Sequence, residues 1–316
     1  MTELWCPILP DCYLSCTVPL LHAYVCNIKD PKMTGKVIQL LNSKYPEPNL
    51  SHLKRVNSNK KEGKLQVLLT DDKHKLDEIL QSFSSVGILI DDPSYVQVPA
   101  ESGKTKEQHL FAMTLWPVAV FTADKYLESV LEGKNFSFEQ RKEIERLMGV
   151  ALQAAEKSRK LGGKGVGAVV AFRGEVLGVG CDARNKHPLK HAAIAMLDMV
   201  SWVKHGQKDE ERPEWAGDDL VECQAQVLKS PKSYLCTDYD VYLTREPCTF
   251  CAMALLHNRV KRIFYGCPSE EGALGTREKL HTLPGINHRY EVFANVRGKE
   301  CGELLTKCEM KHKCFS

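Results

Sequence analysis

The chain has 316 residues, 43% hydrophobic and 26% charged, with a formal net charge of +3, which excludes wholesale disorder and leaves nucleic-acid affinity to local patches. Thirteen cysteines, an opening "MTELWCPILPD" without a basic segment or cleavage site, and apolar runs well short of the roughly 20 residues of a membrane span lead us to expect a reduced, intracellular chain with no membrane anchor. At this length two domains are the expectation.

In chain order, "HAYVCNI" reads as a strand, "KMTGKVIQLLNSKY" as a helix, and "LSHLKRV" and "KLQVLLT" as two further strands. "KHKLDEILQSFSS" carries Leu76, Ile79, Leu80 and Phe83 at helical spacing, and "SYVQVPA" closes the set as a strand. Strand, helix, strand, strand, helix, strand is the order of a ferredoxin-like α+β module. The polar "AESGKTKEQ" and the proline of "LWPVAVF" then place a boundary between Val98 and Pro117. We therefore expect an N-terminal α+β domain over 1–110 and a second domain over 117–316.

Ser137 precedes a long amphipathic helical pattern, "FSFEQRKEIERLMGVALQAAEKSRK", as an N-cap. "GVGAVVAF" and "EVLGVG" flank Arg173-Gly174 as a hairpin, and the His191 segment is helical through Val203. The charged stretch near 204–234 reads as an exposed insertion. "DVYLT" is a strand, Cys248 to Asn258 a helix, and "RIFYG" another strand, which makes this half an α/β sheet. "GGKGVG" precedes a strand and has Gly165, not Ser or Thr, after Lys164, so it is not a phosphate loop.

The chemistry is concentrated in "HPLKHAAIAML" and "REPCTFCAMALLHNRV". Two cysteines two residues apart at a helix N-terminus, Cys248 and Cys251, can face one Zn²⁺, and the helix dipole favours their thiolates. Pro247 suits the helix entry, where a missing N–H costs nothing. His191, at the start of another helix, completes a three-ligand set. Alone, the cysteines also suit a buried or redox pair, and His191 a core histidine.

The His-led helix, "EPCTFC" after a strand, "RIFYG", and "LHTLPGINHRYEV" with Leu280, His281, Pro284, Gly285, Asn287, His288 and Arg289 together resemble the zinc-dependent nucleobase deaminases, most closely their tRNA adenosine deaminase branch. The resemblance spans about Phe121 to Phe293. It implies a cytidine-deaminase-like fold, a central mixed sheet with helices on both faces, and Zn²⁺ on His191, Cys248 and Cys251. One departure governs function: the family's catalytic acid belongs two residues after the histidine, where this chain has Ala193. Loss of a general acid/base costs about 10²–10⁴ in rate. Glu246 matches the family's own Glu-Pro-Cys, and Asp198 lies about two helical turns from His191, so neither is expected to substitute.

With an extra N-terminal domain, ligands kept and the acid gone, the chain resembles the non-catalytic subunits of the eukaryotic heterodimeric tRNA adenosine deaminases. That resemblance implies a catalytic partner subunit, tRNA as the bound nucleic acid, conversion of wobble adenosine to inosine by the complex, a structural zinc, and a place in the cytoplasm or nucleus. Holding tRNA needs clustered cations. Lys54, Arg55, Lys60, Lys61 and Lys64 are the N-terminal candidates, and Arg259, Lys261 and Arg262 those of the second half. The C-terminal Cys301, Cys308, His312 and Cys314 match no common zinc module, but the tail is a candidate to fold over the pocket, Cys314 or the terminal carboxylate meeting the metal. Two other readings remain: an active deaminase with a displaced proton shuttle, and a zinc-stabilised RNA-binding protein without a deaminase role.

Overall fold

The computed structural model describes residues 5–59, 64–119, 121–204 and 235–313. Its elements are β1 (Cys6–Pro7), α1 (Asp11–Leu14), β2 (Leu20–Asn27), α2 (Thr34–Lys44), β3 (Val56–Asn59), β4 (Lys64–Thr70), α3 (Lys73–Ser85), β5 (Ser94–Pro99), α4 (Lys106–Leu115) and α5 (Lys125–Leu131). They continue with α6 (Phe138–Lys160), β6 (Gly167–Phe172), β7 (Glu175–Cys181), α7 (Ala192–Lys204), β8 (Asp240–Arg245), α8 (Thr249–His257), β9 (Arg262–Cys267), β10 (Glu291–Ala294) and α9 (Gly298–Lys313). Two compact units result: Asp11–Glu128, and Met1–Pro10 joined with Ser129–Ser316. Among the described residues no helix is long and apolar enough to cross a membrane.

In the unit Asp11–Glu128, four antiparallel strands in the order β3-β4-β2-β5 give the ferredoxin-like arrangement. One sheet face carries Cys26, Val67 and Leu69 to α2 and α3, whose Val37, Leu41, Leu76, Ile79 and Phe83 are buried. The 3.6-residue spacing of Leu76, Ile79 and Phe83 produces that contact, and Asp72 caps α3 by accepting from His74 N at 2.8 Å. The other face carries Ala23, Val25, Leu68 and Val98 to Ala112 and Trp116.

Two expectations are corrected here. "LSHLKRV" is not a strand through its length: Pro48 opens a 3₁₀ turn ending at Leu50, and the strand begins only at Val56. Leu50 and Leu53 are buried three residues apart, the spacing of a turn and not of a strand. The boundary stretch is also structured, because Thr105 accepts from Gln108 N at 3.2 Å and caps α4. α4 carries Ala112 into the core, and Trp116 follows it there, its Nε1 donating to the Lys54 carbonyl at 2.7 Å. The last of the polar residues that suggested a linker, Lys106 to Gln108, open this helix, and Thr105 caps it. The chain thus divides at 10/11 and 128/129, where the sequence suggested 1–110 and 117–316.

The second unit is built on a mixed sheet in the order β1-β10-β9-β8-β6-β7, with β8, β9 and β10 parallel and β6 antiparallel to both its neighbours. Strand alternation sends Val241, Leu243, Ile263 and Tyr265 toward α7 and α8, and Tyr242 and Phe264 toward α6 and α9. Helices therefore cover both faces, as the deaminase-like reading implied. Ser137 caps α6 in a full capping box with Gln140. β1 closes the far edge by pairing antiparallel with β10, and Ile8 N donates to the Val292 carbonyl at 2.9 Å. Gly180 on β7 decides where α7 lies: a Cβ there would collide with the backbone of Ala192 and Met196, so the helix rests directly on the strand.

Candidate metal centre

Ligands in open α/β sheets gather beyond the carboxyl ends of the parallel strands, and β8 delivers its side chains there. It ends at Arg245, Glu246 and Pro247 follow, and Cys248 becomes the N-cap of α8 with extended backbone, φ −70° and ψ 170°. Its carbonyl accepts from Ala252 N at 2.9 Å, opening the helix, and Cys251 lies buried one turn on. His191 plays the same part for α7, its carbonyl accepting from Ala195 N at 2.9 Å. Two helix starts thus converge, and their ligand atoms lie within 4.8 Å of one another.

The donor set fits zinc. With Zn–S near 2.3 Å and Zn–N near 2.0–2.1 Å, a tetrahedral N-to-S edge is about 3.6 Å. His191 Nδ1 and Cys248 Sγ stand 3.6 Å apart. Nitrogen with two sulfurs is also the ligand chemistry zinc favours. The Cys251 thiol donates to Cys248, whose pKa is held down to about 5, while Cys251 is pushed up by that same bond and by burial. The ring of Phe250 meets His191 edge-on at 5.7 Å.

A pocket of about 190 Å³ opens beside the cluster, lined by Ala193 among others. Ala193 is 3% exposed and offers only a methyl group. Two carboxylates are otherwise engaged: Asp198 pairs with Lys190 Nζ at 2.6 Å, and the buried Asp182 with Arg184 Nε at 2.6 Å. Glu246 accepts from Ser269 N at 3.2 Å, Leu274 N at 2.9 Å and Thr276 N at 3.0 Å, and from the Thr276 hydroxyl. Sequence reasoning missed Asp182, Lys164, Arg184 and Arg245, and also Glu270 and Glu271, which are exposed on the pocket's rim. Arg245 lies three residues before Cys248; no spacing links the others to the cysteines, and strand order alone brings them there.

The "LHTLPGINHR" residues brace the site from behind. His281 Nε2 donates to the Ile8 carbonyl at 2.9 Å, and His288 Nε2 to the Val260 carbonyl at 2.7 Å. Tyr290, just beyond, donates its hydroxyl to the Ala252 carbonyl of α8 at 3.1 Å.

The cations separate into two kinds. Lys54 is exposed, whereas the Arg55 guanidinium donates to the carbonyls of Tyr45, Leu68 and Leu69 at 3.0, 3.2 and 2.9 Å and holds its own unit together. Lys60, Lys61 and the side chain of Lys64 lie outside the described residues. Arg259 and Lys261 are exposed past the end of α8, about 14 Å along the helix from Cys248. Arg262 is half-buried, paired with Asp240 at 2.7 Å over the rings of Phe136 and Phe264. Cys301 is buried against the α6 side of the sheet, while Cys314, the terminal carboxylate and residues 205–234 of the expected insertion lie outside the described residues.

Comparison with known proteins follows the same lines. The family model for the cytidine and deoxycytidylate deaminase zinc-binding region matches residues 141–267, and that for the tRNA-specific adenosine deaminase TAD3 N-terminal domain matches residues 21–116. A zebrafish (Danio rerio) protein named "Probable inactive tRNA-specific adenosine deaminase-like protein 3" is 36% identical over 90% of this chain and 89% of its own. The Schizosaccharomyces pombe "tRNA-specific adenosine deaminase subunit tad3" is 28% identical over 84% of this chain and 81% of its own. A solved structure described as a study of A-to-I editing by tRNA:A34 deaminases matches at 24% identity over 50% of this chain and 98% of that one, with a TM-score of 0.37, a likeness too loose to bear weight. With a zinc-binding deaminase region behind a TAD3 N-terminal domain, and a relative this similar along nearly its whole length, the chain belongs to the tRNA-specific adenosine deaminase-like protein 3 (TAD3) family.

Proposed function

We propose that this chain is the catalytically silent subunit of a heterodimeric tRNA adenosine deaminase, completing the complex and helping to hold tRNA while a separate subunit converts wobble adenosine to inosine. The observation that carries this reading is Ala193: it lines the pocket beside His191, Cys248 and Cys251 with no titratable atom. Zinc on those three residues would supply folding energy at the meeting of α7 and α8. In this reading the chain's own residues do the rest. His191 and Cys248 pin two helix starts together, Glu246 holds the neighbouring loop, and Ala193 leaves the proton unmoved. The names of the relatives support the partner subunit and the tRNA substrate, and a tRNA-handling protein works inside the cell, in cytoplasm or nucleus.

We assign the unit Asp11–Glu128 to tRNA holding, through the exposed Lys54 and, from their charge alone, Lys60, Lys61 and Lys64, with Arg259 and Lys261 as a second contact. Arg55 and Arg262, tied into their own units, contribute to folding. The test is single-turnover conversion of adenosine to inosine in a tRNA anticodon stem, by the chain alone and with a deaminase subunit that retains its acid. Turnover only in the second case is the expected result. Turnover by the chain alone would overturn the proposal and direct attention to Glu270 and Glu271 on the pocket rim, to be tested as glutamines.

A further inference from the structure

Glu246 is 3% exposed, and its carboxylate is the meeting point of two segments that ordinary secondary structure does not join. Leu274 N and Thr276 N donate to one oxygen, Ser269 N and the Thr276 hydroxyl to the other. The loop gathered in this way returns bonds to the metal corner: Ala273 N donates to the Pro247 carbonyl at 2.9 Å, and Gly272 forms an isolated antiparallel bridge with Cys248 itself. Gly272 also has no room for a side chain, because a Cβ there would collide with the Glu246 carboxylate. One carboxylate thus organises a loop whose backbone then fixes Pro247 and Cys248.

From this geometry we infer that Glu246 is the positioning residue of the metal centre: its four accepted hydrogen bonds hold the 269–276 loop against Cys248, so that the Cys248 sulfur is presented to His191 and Cys251. The inference rests on the zinc reading above. It gives the carboxylate beside the Pro-Cys-x-x-Cys segment a role that involves no proton transfer. All four donors point at it, so a glutamine keeps those that face its carbonyl oxygen and, at its amide nitrogen, at most the Thr276 hydroxyl turned to accept, and an alanine keeps none. Partners that orient a ligand in this way typically change metal affinity by about 10–100-fold when removed.

The experiment uses the metal-free full-length chain, titrated with Co²⁺ and with Zn²⁺ against a competing chelator. Wild type is expected to bind one ion per chain, with a thiolate-to-cobalt charge-transfer band of two-sulfur intensity. Glu246→Ala is expected to bind at least tenfold more weakly with the band reduced toward one sulfur, and Glu246→Gln to fall between. Should Glu246→Ala not fold, Gly272→Ala, which strikes the carboxylate without deleting it, is expected to weaken binding in the same direction. Where both single variants fold, their effects are expected to be non-additive, since Gly272→Ala has nothing to strike once Glu246 is gone. Equal affinity and an unchanged band in Glu246→Ala, or in Gly272→Ala if that alone folds, would overturn this inference and leave the zinc reading intact. A wild-type chain that binds neither ion would remove both.

Discussion

On one side of the three-donor cluster, Glu246 commits both carboxylate oxygens to four donors of the 269–276 loop. On the other side, two residues into α7's capped start, Ala193 packs a methyl group into the core among Met196, Leu243 and Cys251. In the proposed reading, the β8–α8 corner arranges donors, while the α7 start offers His191 as a donor and, at Ala193, no acid. Arranging donors and moving protons are separable tasks. The first needs many groups in mutual register, whereas the second hangs on one titratable atom. Removing that atom costs the fold little, because alanine is the best helix former and an apolar wall accepts it.

The strongest way to break this contrast is to take away the retained side. Cys251→Ala is expected to abolish stoichiometric zinc and to lower unfolding free energy by at least about 3 kcal/mol in urea titrations, an effect that chelation of the wild type should largely reproduce. Glu246→Ala strands the buried N–H groups of Ser269 and Leu274 at about 1–3 kcal/mol each, and that of the exposed Thr276 at less, so a loss of about 2–4 kcal/mol is expected even without metal. Sharpening comes from restoring the lost side. Ala193→Glu puts a carboxyl into a buried wall, expected to cost about 1–3 kcal/mol without metal and less with zinc bound, since the ion partners the charge. Equal penalties in the two states would mean that residue 193 does not face the metal.

Behind the corner, His281 adds a pH test. It is 6% exposed, its Nδ1 is buried without a hydrogen-bond partner, and its pKa is lowered from the usual 6.5 by burial and, less strongly, by the Lys279 ammonium, against the Ile8 carbonyl that raises it. The other group packed on its ring is Tyr290. Because the folded pKa lies below the unfolded one, the unfolded chain takes up a proton that the folded chain refuses as pH falls through 6.5. Stability is then expected to fall by at most about 1.4 kcal/mol per pH unit below that point and to be level above it. His281→Gln should remove this slope from urea midpoints measured between about pH 5 and 7.5. The smallest effect is expected at Lys54→Ala, which should leave stability within about 0.5 kcal/mol and reduce the salt slope of tRNA binding by about one.

Much of the second unit was legible locally. The Ser137 capping box, the hairpin at Arg173-Gly174 and the helix opening at Cys248 all depend on neighbours within a few residues. The misreadings were non-local. The polar stretch 100–108 reads as a linker, but its last residues begin the helix that carries Trp116 into the core of the first unit. Leu50 and Leu53 fall in a segment that reads as a strand, whereas the turn at Pro48 draws both inward three residues apart. Cys6 and Pro7 pair with a strand almost three hundred residues away, which no periodicity announces.

The sequence by itself determined the donor types, His191, Cys248 and Cys251, and the absence of an acid at Ala193, because residue identity and short spacing are properties of the chain alone. Only the tertiary structure decided which charges remain free to act. Arg55 turns inward to three backbone carbonyls, Arg262 pairs with Asp240, and Glu246 is consumed by the 269–276 loop. The physical reason is common to all three: a charged side chain is claimed by whichever buried donors or acceptors the fold brings within about 3 Å, and those lie far from it in sequence.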